Sequence, residues 1–280
     1  MLATMLCFVA LDGLMKHLLQ SYSVVQVSWA RFFFATVIAA LAAGRRLPEL
    51  MISRMPVLQL TRSSILMLTT GAFNAGIRNV PLATGTTIMF LSPILITLLS
   101  IPLLGERVGL RRLGGVAIGF AGALMVVRPW EHGFDGAGSG LLFLLLAAFL
   151  NANYQLITRR VRADHPLTSL LYTALAGTVV ISCVAPWFWT PPTLKDWGLF
   201  AAAGALGGLG HLCLIRAVSA APASAVAPFS YSSLLWASLT GYLFFGEWPD
   251  LWTWAGAGII IASGLYIFHR ERQTATGERS

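Results

Sequence analysis

Apolar segments of membrane length follow one another along almost the whole chain, separated only by short turns. Charged residues make up 11% of the sequence, against roughly a quarter in an average soluble domain. Backbone groups in lipid must be hydrogen-bonded within a helix or a closed barrel, and these segments are continuously apolar rather than alternating. We therefore predict an all-α, polytopic membrane protein.

Ten segments approach the roughly 20 residues that a helix needs to cross a bilayer. They are residues 2–20, 24–43, 59–78, 83–103, 109–128, 138–159, 166–189, 196–218, 222–245 and 250–269. The connections leave no room for a soluble domain. The first segment lacks a basic leader and contains Asp12, so we interpret it as a membrane span rather than as a signal peptide.

Lysine and arginine are distributed unevenly between the two ends of these spans. Of 19 such residues, 14 lie at the end that holds both termini, three lie at the opposite end, and Lys16 and Arg31 lie within spans. Positive charge accumulates on the cytoplasmic side, so we predict an inner-membrane protein with both termini in the cytoplasm. The net charge of +8 does not indicate a nucleic-acid partner, because the basic residues are not interleaved with aromatic ones.

The two halves of the chain repeat one pattern at an offset of 141 residues. The matched positions are Gly105-Glu106 with Gly246-Glu247, Pro81 with Pro222, and Gly115 with Gly256. We predict a first five-helix repeat at residues 1–131, a second at 138–269, and a cytoplasmic tail at 270–280. Five is an odd number, so the second repeat enters the membrane in the opposite direction and the repeats are inverted.

Inverted repeats are typical of secondary transporters, in which a site between the halves opens first to one side and then to the other. A channel-like pore and a membrane-embedded enzyme are the alternatives. A pore would need a ring of like charge or a filter sequence, and an enzyme would need a positioned nucleophile or a metal cluster. The sequence shows none of these, and Cys7, Cys183 and Cys213 lack metal-ligand spacing.

One stretch of sequence carries a family resemblance. Pro93 inside the fourth span is followed by Gly105-Glu106 and then by the glycine-rich residues 111–122. The chain resembles the drug/metabolite transporter superfamily, EamA type. The resemblance implies a carrier whose central cavity is lined mainly by spans 1, 3, 4, 6, 8 and 9. The second half has Leu234 where the proline matching Pro93 would stand, and Pro228 lies earlier, so we expect the bend of the ninth span near Pro228.

Asp12 is the sharpest candidate for a substrate-binding residue, since a carboxylate within a span is costly unless it faces a cavity or a partner. Lys16 lies one helical turn further on, where it could neutralise Asp12 or extend its amine toward water. At an offset of 139, Asp12 and Lys16 align with Asn151 and Gln155. Because packing alone does not require polar pairs at the same place in both halves, we expect all four to face a central cavity.

Further candidates lie within other spans. Arg31 is deep enough to need an anion, either Asp12 or an acidic group of a substrate. His17 and His211 could relay protons or hydrogen-bond between helices. Polar or aromatic side chains predicted to line the cavity are Asn74, Tyr154, Tyr231 and Trp236.

Small residues have simpler interpretations. The spacing of Gly115 and Gly119, and of Gly204 and Gly208, is typical of close helix packing. Gly246 fits a helix C-terminal cap, which would leave Glu247 near the positive start of the next helix.

We therefore predict a secondary transporter that moves a small amphipathic or zwitterionic metabolite by alternating access. An amino acid, or an amino-acid-like or vitamin-like cofactor, suits the mixture of acidic, basic, amide and aromatic side chains. The predicted partners are that small molecule and the lipid bilayer. No enzyme activity and no cofactor are predicted. Proton coupling through Asp12 or a histidine, facilitated transport without coupling, and homodimer formation are left open.

Overall fold

The computed structural model of the protein describes residues 1–104, 110–128, 137–161, 164–220 and 227–277. All regular structure in these residues is helical, which confirms the all-α prediction. The long helices are α1 (Leu2–Leu18), α2 (Val24–Ala43), α3 (Pro56–Ile77), α4 (Leu82–Met89), α5 (Leu91–Leu104), α6 (Leu110–Val127), α7 (Ala137–Arg160), α8 (Pro166–Val184), α9 (Leu194–Ala220), α10 (Ser232–Phe245) and α11 (Leu251–Gly277). The Gly105-Glu106 and Pro222 positions of the sequence repeat lie outside the described residues.

With α4 and α5 taken as the two parts of one span, the described helices match the ten predicted spans. By length and composition, five helical stretches are able to cross a membrane: Val24–Leu50, Leu82–Ile101, Gly138–Thr158, Pro166–Phe188 and Leu251–His269. A shorter apolar helix covers Leu113–Val127. In the described residues, four helices do not meet this criterion of length and apolar composition: α1, α3, α9 and α10. All four belong to spans that the family resemblance places around a central cavity.

Two spans are interrupted. The fourth is broken at Phe90, between α4 and α5. Pro93 has no N–H to donate to the carbonyl of Met89, four residues earlier, so the helix cannot continue unchanged through this point. In the described part of the ninth span, the 3₁₀ segment Ala227–Tyr231 precedes α10, which starts at Ser232. The expected displacement of the bend toward Pro228 is therefore confirmed.

The packing of the helices follows the inverted repeat. Under the repeat, α1, α2, α3 and α6 correspond to α7, α8, α9 and α11. Helix α3 packs against α7 just as α9 packs against α1, and α3 packs against α8 just as α9 packs against α2. Three further pairs, α2 with α8, α6 with α11, and α4 with α10, join corresponding spans directly. The two halves thus interlock around a pseudo-two-fold axis.

The crossing of α6 and α11 shows this symmetry at the level of single residues. A Cβ atom on Gly122 would lie 3.0 Å from the carbonyl oxygen of Gly256, so the two backbones are in close contact. The 141-residue offset converts this pair into Ser263 and Gly115. The Ser263 hydroxyl donates a hydrogen bond of 2.5 Å to the Gly115 carbonyl oxygen. Gly115 and Gly119, for which the sequence predicts close helix packing, lie against other spans: a Cβ on Gly115 would be 3.0 Å from Ile267, and one on Gly119 would collide with the Ile94 side chain.

The two ends of the broken spans pack differently. Helix α4 packs against α10 at the end of the bundle that holds Lys16, the turn after α3 and the turn after α10. We call this the Lys16 end; it is the predicted external side. In the described residues, α5 packs on α7 and α6, and it makes no comparable contact with the 3₁₀ segment before α10. The fourth and ninth spans are therefore in close contact at the Lys16 end.

Candidate functional site

Two helices of the first half place opposite charges inside the bundle. Asp12 on α1 and Arg31 on α2 are within electrostatic range of each other. No direct ion pair joins them in the described structure. Both lie deep among the helices, yet each keeps a partly accessible surface. That Asp12 and Arg31 line a central cavity and bind a small molecule stays a prediction.

His211 brings the second half of the chain close to these charges. Its Nδ1 atom lies 3.0 Å from the Gly207 carbonyl oxygen, and since a carbonyl can only accept, Nδ1 carries the hydrogen. Its ring packs edge-on against Phe8 of α1, with 5.2 Å between ring centres. Its electrostatic interaction with Arg31 places it beside the central charges. His17, the other histidine considered, is exposed at the Lys16 end.

Tyr154 on α7 is within electrostatic range of Arg31 and is fixed by Arg62 of α3. The Arg62 guanidinium donates to the Tyr154 hydroxyl at 2.7 Å and lies 4.7 Å from the centre of its ring. Arg62 is only 6% exposed. Its other hydrogen-bond acceptors lie on α3, α7 and α8: Gln59, Thr158, Ser169 and Thr173. Tyr154 is thus held in place by Arg62 within electrostatic range of Arg31.

Asn151 and Gln155, the polar pair predicted on α7, differ in their hydrogen bonds. The Asn151 amide donates to the Ser92 hydroxyl at 3.1 Å, next to the break in the fourth span. Gln155 lies one turn further along and keeps a partly accessible surface. Asn151 therefore ties α7 to α5, and Gln155 remains the more available of the two amides. A contact of either side chain with a substrate stays a prediction.

Aromatic side chains flank the two helix breaks. Tyr231 packs edge-on against Phe90, with 5.1 Å between ring centres. Phe90 separates α4 from α5, and Tyr231 is the last residue of the 3₁₀ segment before α10, so this contact joins the interruptions of the two spans. The indole Nε1 of Trp236 is buried and has no hydrogen-bond partner in the described structure. A polar atom in this position is expected to find its partner in water or a ligand.

Asn74 and Lys16, both predicted to bind the substrate, form hydrogen bonds with other protein groups. Asn74 is 1% exposed and donates a 2.9 Å hydrogen bond to Ser28, which holds α3 to α2. Lys16 is 5% exposed, and its amine lies 2.6 Å from both carboxylate oxygens of Glu247. Their contact with a substrate also stays a prediction.

The contact of Lys16 corrects two expectations. Its amine neither neutralises Asp12 nor reaches water; it binds Glu247 and the Val80 carbonyl oxygen, the latter at 2.9 Å. Gly246 does cap α10, with φ of 67° in the left-handed region. Glu247, however, accepts a hydrogen bond from the backbone N–H of Leu82 at 3.3 Å. It therefore lies at the positive start of α4 in the first half, rather than serving only the helix that follows it.

Arg62 and its neighbours were missed as a cluster by sequence reasoning. Arg62 counted there only as one of the charges at the cytoplasmic end, whereas the structure buries it among three helices. Close by, Asp164 accepts hydrogen bonds from Ser53, Gln59 and the backbone N–H of Arg54. Although burial acts to raise the pKa of Asp164, these hydrogen bonds outweigh it and lower the pKa below its usual value. The signal available in the sequence was an arginine within a span, the same signal that singled out Arg31.

The arrangement resembles a binding site more than a reaction centre. In the described residues, no group of three histidine, cysteine, aspartate or glutamate side chains is placed to hold a metal ion. The site combines a carboxylate, a guanidinium, a histidine and aromatic rings from both halves of an inverted repeat.

The sequence matches the EamA-like transporter family over residues 1–128 and again over residues 138–268. The chain belongs to the EamA-like transporter family. It is a multi-pass membrane transporter rather than an enzyme.

Relatives in this family have been named for several cargoes. An S-adenosylmethionine uptake transporter of Rickettsia bellii is 27% identical over 94% of this chain and 89% of its own length. A riboflavin transporter of Rhizobium johnstonii is 33% identical, covering 71% of this chain and 66% of its own. A pseudopaline exporter of Pseudomonas aeruginosa is 30% identical, covering 68% and 67%. These relatives support transport of a small metabolite in general.

A solved structure shares the fold. It superimposes with a TM-score of 0.65 at 18% identity, covering 97% of this chain and 98% of the other. At that identity the similarity concerns the arrangement of the helices alone. It supports the ten-span bundle described above.

Proposed function

We propose that this EamA-family protein is a secondary carrier for a small zwitterionic or amphipathic metabolite, moved across the inner membrane by alternating access. The most suitable cargo is an amino acid or an amino-acid-like cofactor. Both termini lie in the cytoplasm, as the distribution of basic residues predicts.

The observation that supports this proposal is that Asp12 and Arg31 lie within electrostatic range of each other without a direct ion pair in the described structure. A molecule with an ammonium group and a carboxylate could bind Asp12 through the first and Arg31 through the second. Each of the two charged side chains would lose water when such a ligand binds, and each would gain a ligand group of opposite charge in its place. A neutral solute would leave one or both charges without that compensation, which is unfavourable at a buried site.

Aromatic side chains extend this preference to molecules with a flat portion. Tyr154 lies near Arg31, and the Phe90–Tyr231 pair lies at the breaks of the fourth and ninth spans. Ring faces beside polar groups suit an amphipathic solute. S-adenosylmethionine combines a zwitterionic amino acid with a purine ring, and the naming of a relative for its uptake agrees with this chemistry.

The proposal is tested first by a thermal-stability screen of the purified protein against amino acids, nucleosides, S-adenosylmethionine and riboflavin. A ligand that binds only the folded protein raises its Tm. The hits are then tested in proteoliposomes loaded with unlabelled solute. A carrier exchanges labelled external solute for internal solute and saturates, whereas a pore gives flux that rises linearly with concentration. Linear flux would reject the carrier in favour of a pore.

Proton coupling is tested in the same vesicles. Asp12 and His211 both interact electrostatically with Arg31, and either could carry a proton with the solute. If transport is coupled, an imposed pH gradient drives accumulation of solute above its external concentration. Asp12→Asn or His211→Gln then abolishes that accumulation, while exchange is still measured at solute concentrations high enough to offset a lower affinity. If the gradient has no effect in the unaltered protein, transport is facilitated.

A further inference from the structure

Lys16, Glu247 and the backbone at Val80 and Leu82 form a compact polar contact at the Lys16 end of the bundle. The Lys16 amine lies 2.6 Å from Glu247 and 2.9 Å from the Val80 carbonyl oxygen. Glu247 also accepts from the Leu82 N–H at 3.3 Å. The contact thus joins α1 and the start of α4, both in the first half, to the turn after α10 in the second half.

This contact lies where the two broken spans close against each other. Helices α4 and α10 pack together, and α1 packs against α10. Any side chain introduced at Gly13 would collide with Thr240, because a Cβ atom there would lie 2.7 Å from the Thr240 methyl group. An ion pair across the ends of these closely packed helices must separate before the cavity can open at this end.

The equivalent position in the second half carries no charge. Lys16 corresponds to Gln155 of α7, which has an amide in place of the amine. An amide makes weaker hydrogen bonds to a carboxylate than an ammonium group does. Lys16 therefore stabilises its end of the bundle more than Gln155 can stabilise the opposite end, although the helices around both residues follow the same repeat.

We propose that the Lys16–Glu247 ion pair holds the Lys16 end of the cavity closed in the resting carrier and breaks each time that end opens. This inference rests on the proposed carrier function. Asp12 lies on α1 one turn before Lys16, on the same side of the helix. A ligand that draws Asp12 toward the cavity therefore acts on the same helix that carries the ion pair, which links binding to opening.

The distance between spin labels at Gln20 and Leu251 tests the proposal without any solute. Both positions are exposed at the Lys16 end, and they follow α1 and the turn after α10, respectively. The native residues Cys7, Cys183 and Cys213 are first replaced by alanine. We expect one short distance in the reference protein, and a second, longer distance in Glu247→Gln and Lys16→Gln. The ratio of the longer to the shorter population should rise roughly tenfold, because one charge is left without its partner.

Asp250→Asn is the matched control. Asp250 forms an ion pair with Arg128 at the same end, but this pair joins α6 to α11, which pack closely along their crossing. We expect its distance distribution to remain that of the reference. An unchanged distribution in folded Glu247→Gln and Lys16→Gln proteins would overturn the proposal. Loss of the folded protein in both would also contradict it, because a carrier that breaks this pair in every cycle must remain folded without it. Failure of the carrier proposal would be seen separately, as absent exchange in vesicles.

Discussion

The Arg62 guanidinium contacts Tyr154 in two ways at once, donating to its hydroxyl at 2.7 Å and lying 4.7 Å from the centre of its ring. A hydrogen bond and a cation–π contact constrain different movements of the same ring. Arg62 is in turn held by acceptors on α3, α7 and α8. The position of a candidate binding residue thus depends on an arginine that is held among protein acceptors.

Arg62→Lys should impair substrate binding by releasing Tyr154. A lysine cannot reproduce the planar set of donors that reaches these acceptors together. We expect KM for solute exchange to rise roughly fivefold to tenfold, which corresponds to about 1–1.4 kcal/mol, with a smaller change in the maximal rate. Initial rates in proteoliposomes measure both quantities. Arg78→Lys, at the exposed end of the same helix, is the control and should leave KM unchanged. If the two variants share the KM of the unaltered protein, Arg62 does not position Tyr154 for binding.

Asp12→Asn should weaken transport of a zwitterionic solute while leaving membrane insertion intact. The substitution keeps the shape of the side chain and removes the charge that would bind an ammonium group. We expect affinity to fall about tenfold or more, since a hydrogen bond to a charged group contributes about 1.5–3 kcal/mol. Binding to purified protein by calorimetry and exchange in vesicles provide the measurement. Glu49→Gln, on an exposed carboxylate between α2 and α3, serves as control. Unchanged affinity in Asp12→Asn would remove Asp12 from the site.

The ten spans could be predicted because lipid imposes a local rule, namely a sufficient run of apolar residues. The break of the ninth span near Pro228 was likewise predictable from one residue that cannot donate a backbone hydrogen bond. The partner of Lys16 was not. Glu247 is 231 residues away in sequence, and only the interlocking of the halves brings the two together. Local rules also favoured Asp12, one turn away, as the partner of Lys16. In the folded chain α1 packs on α10, and this packing places Lys16 against Glu247 rather than against Asp12.

Asp164→Asn should destabilise the protein near neutral pH. The Asp164 carboxylate accepts three hydrogen bonds from Ser53, Gln59 and the Arg54 N–H, and they lower its pKa in the folded state. A depressed folded pKa stabilises the protein above the unfolded value of about 3.9, and this contribution is lost as the pH falls through the folded pKa. We expect a lower Tm for Asp164→Asn from pH 5 to 8, with a loss of about 1–2 kcal/mol.

The pH profile distinguishes this effect from a simple loss of packing. The difference in Tm between the two proteins should stay constant across the neutral range and shrink only in acid, below about pH 4. A difference that persists unchanged into acid would assign it to the shape of the amide rather than to the charge. Thermal unfolding in detergent, followed by intrinsic fluorescence at each pH, gives the comparison.

Gly122→Ala should loosen the crossing of α6 and α11. The new Cβ would lie 2.9 Å from a side-chain methyl of Ile259 and 3.0 Å from the Gly256 carbonyl oxygen. Because a backbone oxygen cannot move aside as a flexible side chain can, the helices must separate, and we expect a loss of about 1–3 kcal/mol. Gly114→Ala on the same helix is the control, since nothing lies within 4 Å of a Cβ at that position. A lower Tm for Gly122→Ala alone is expected. Equal Tm values would mean that the crossing adjusts freely, and that close backbone contact does not hold these two spans together.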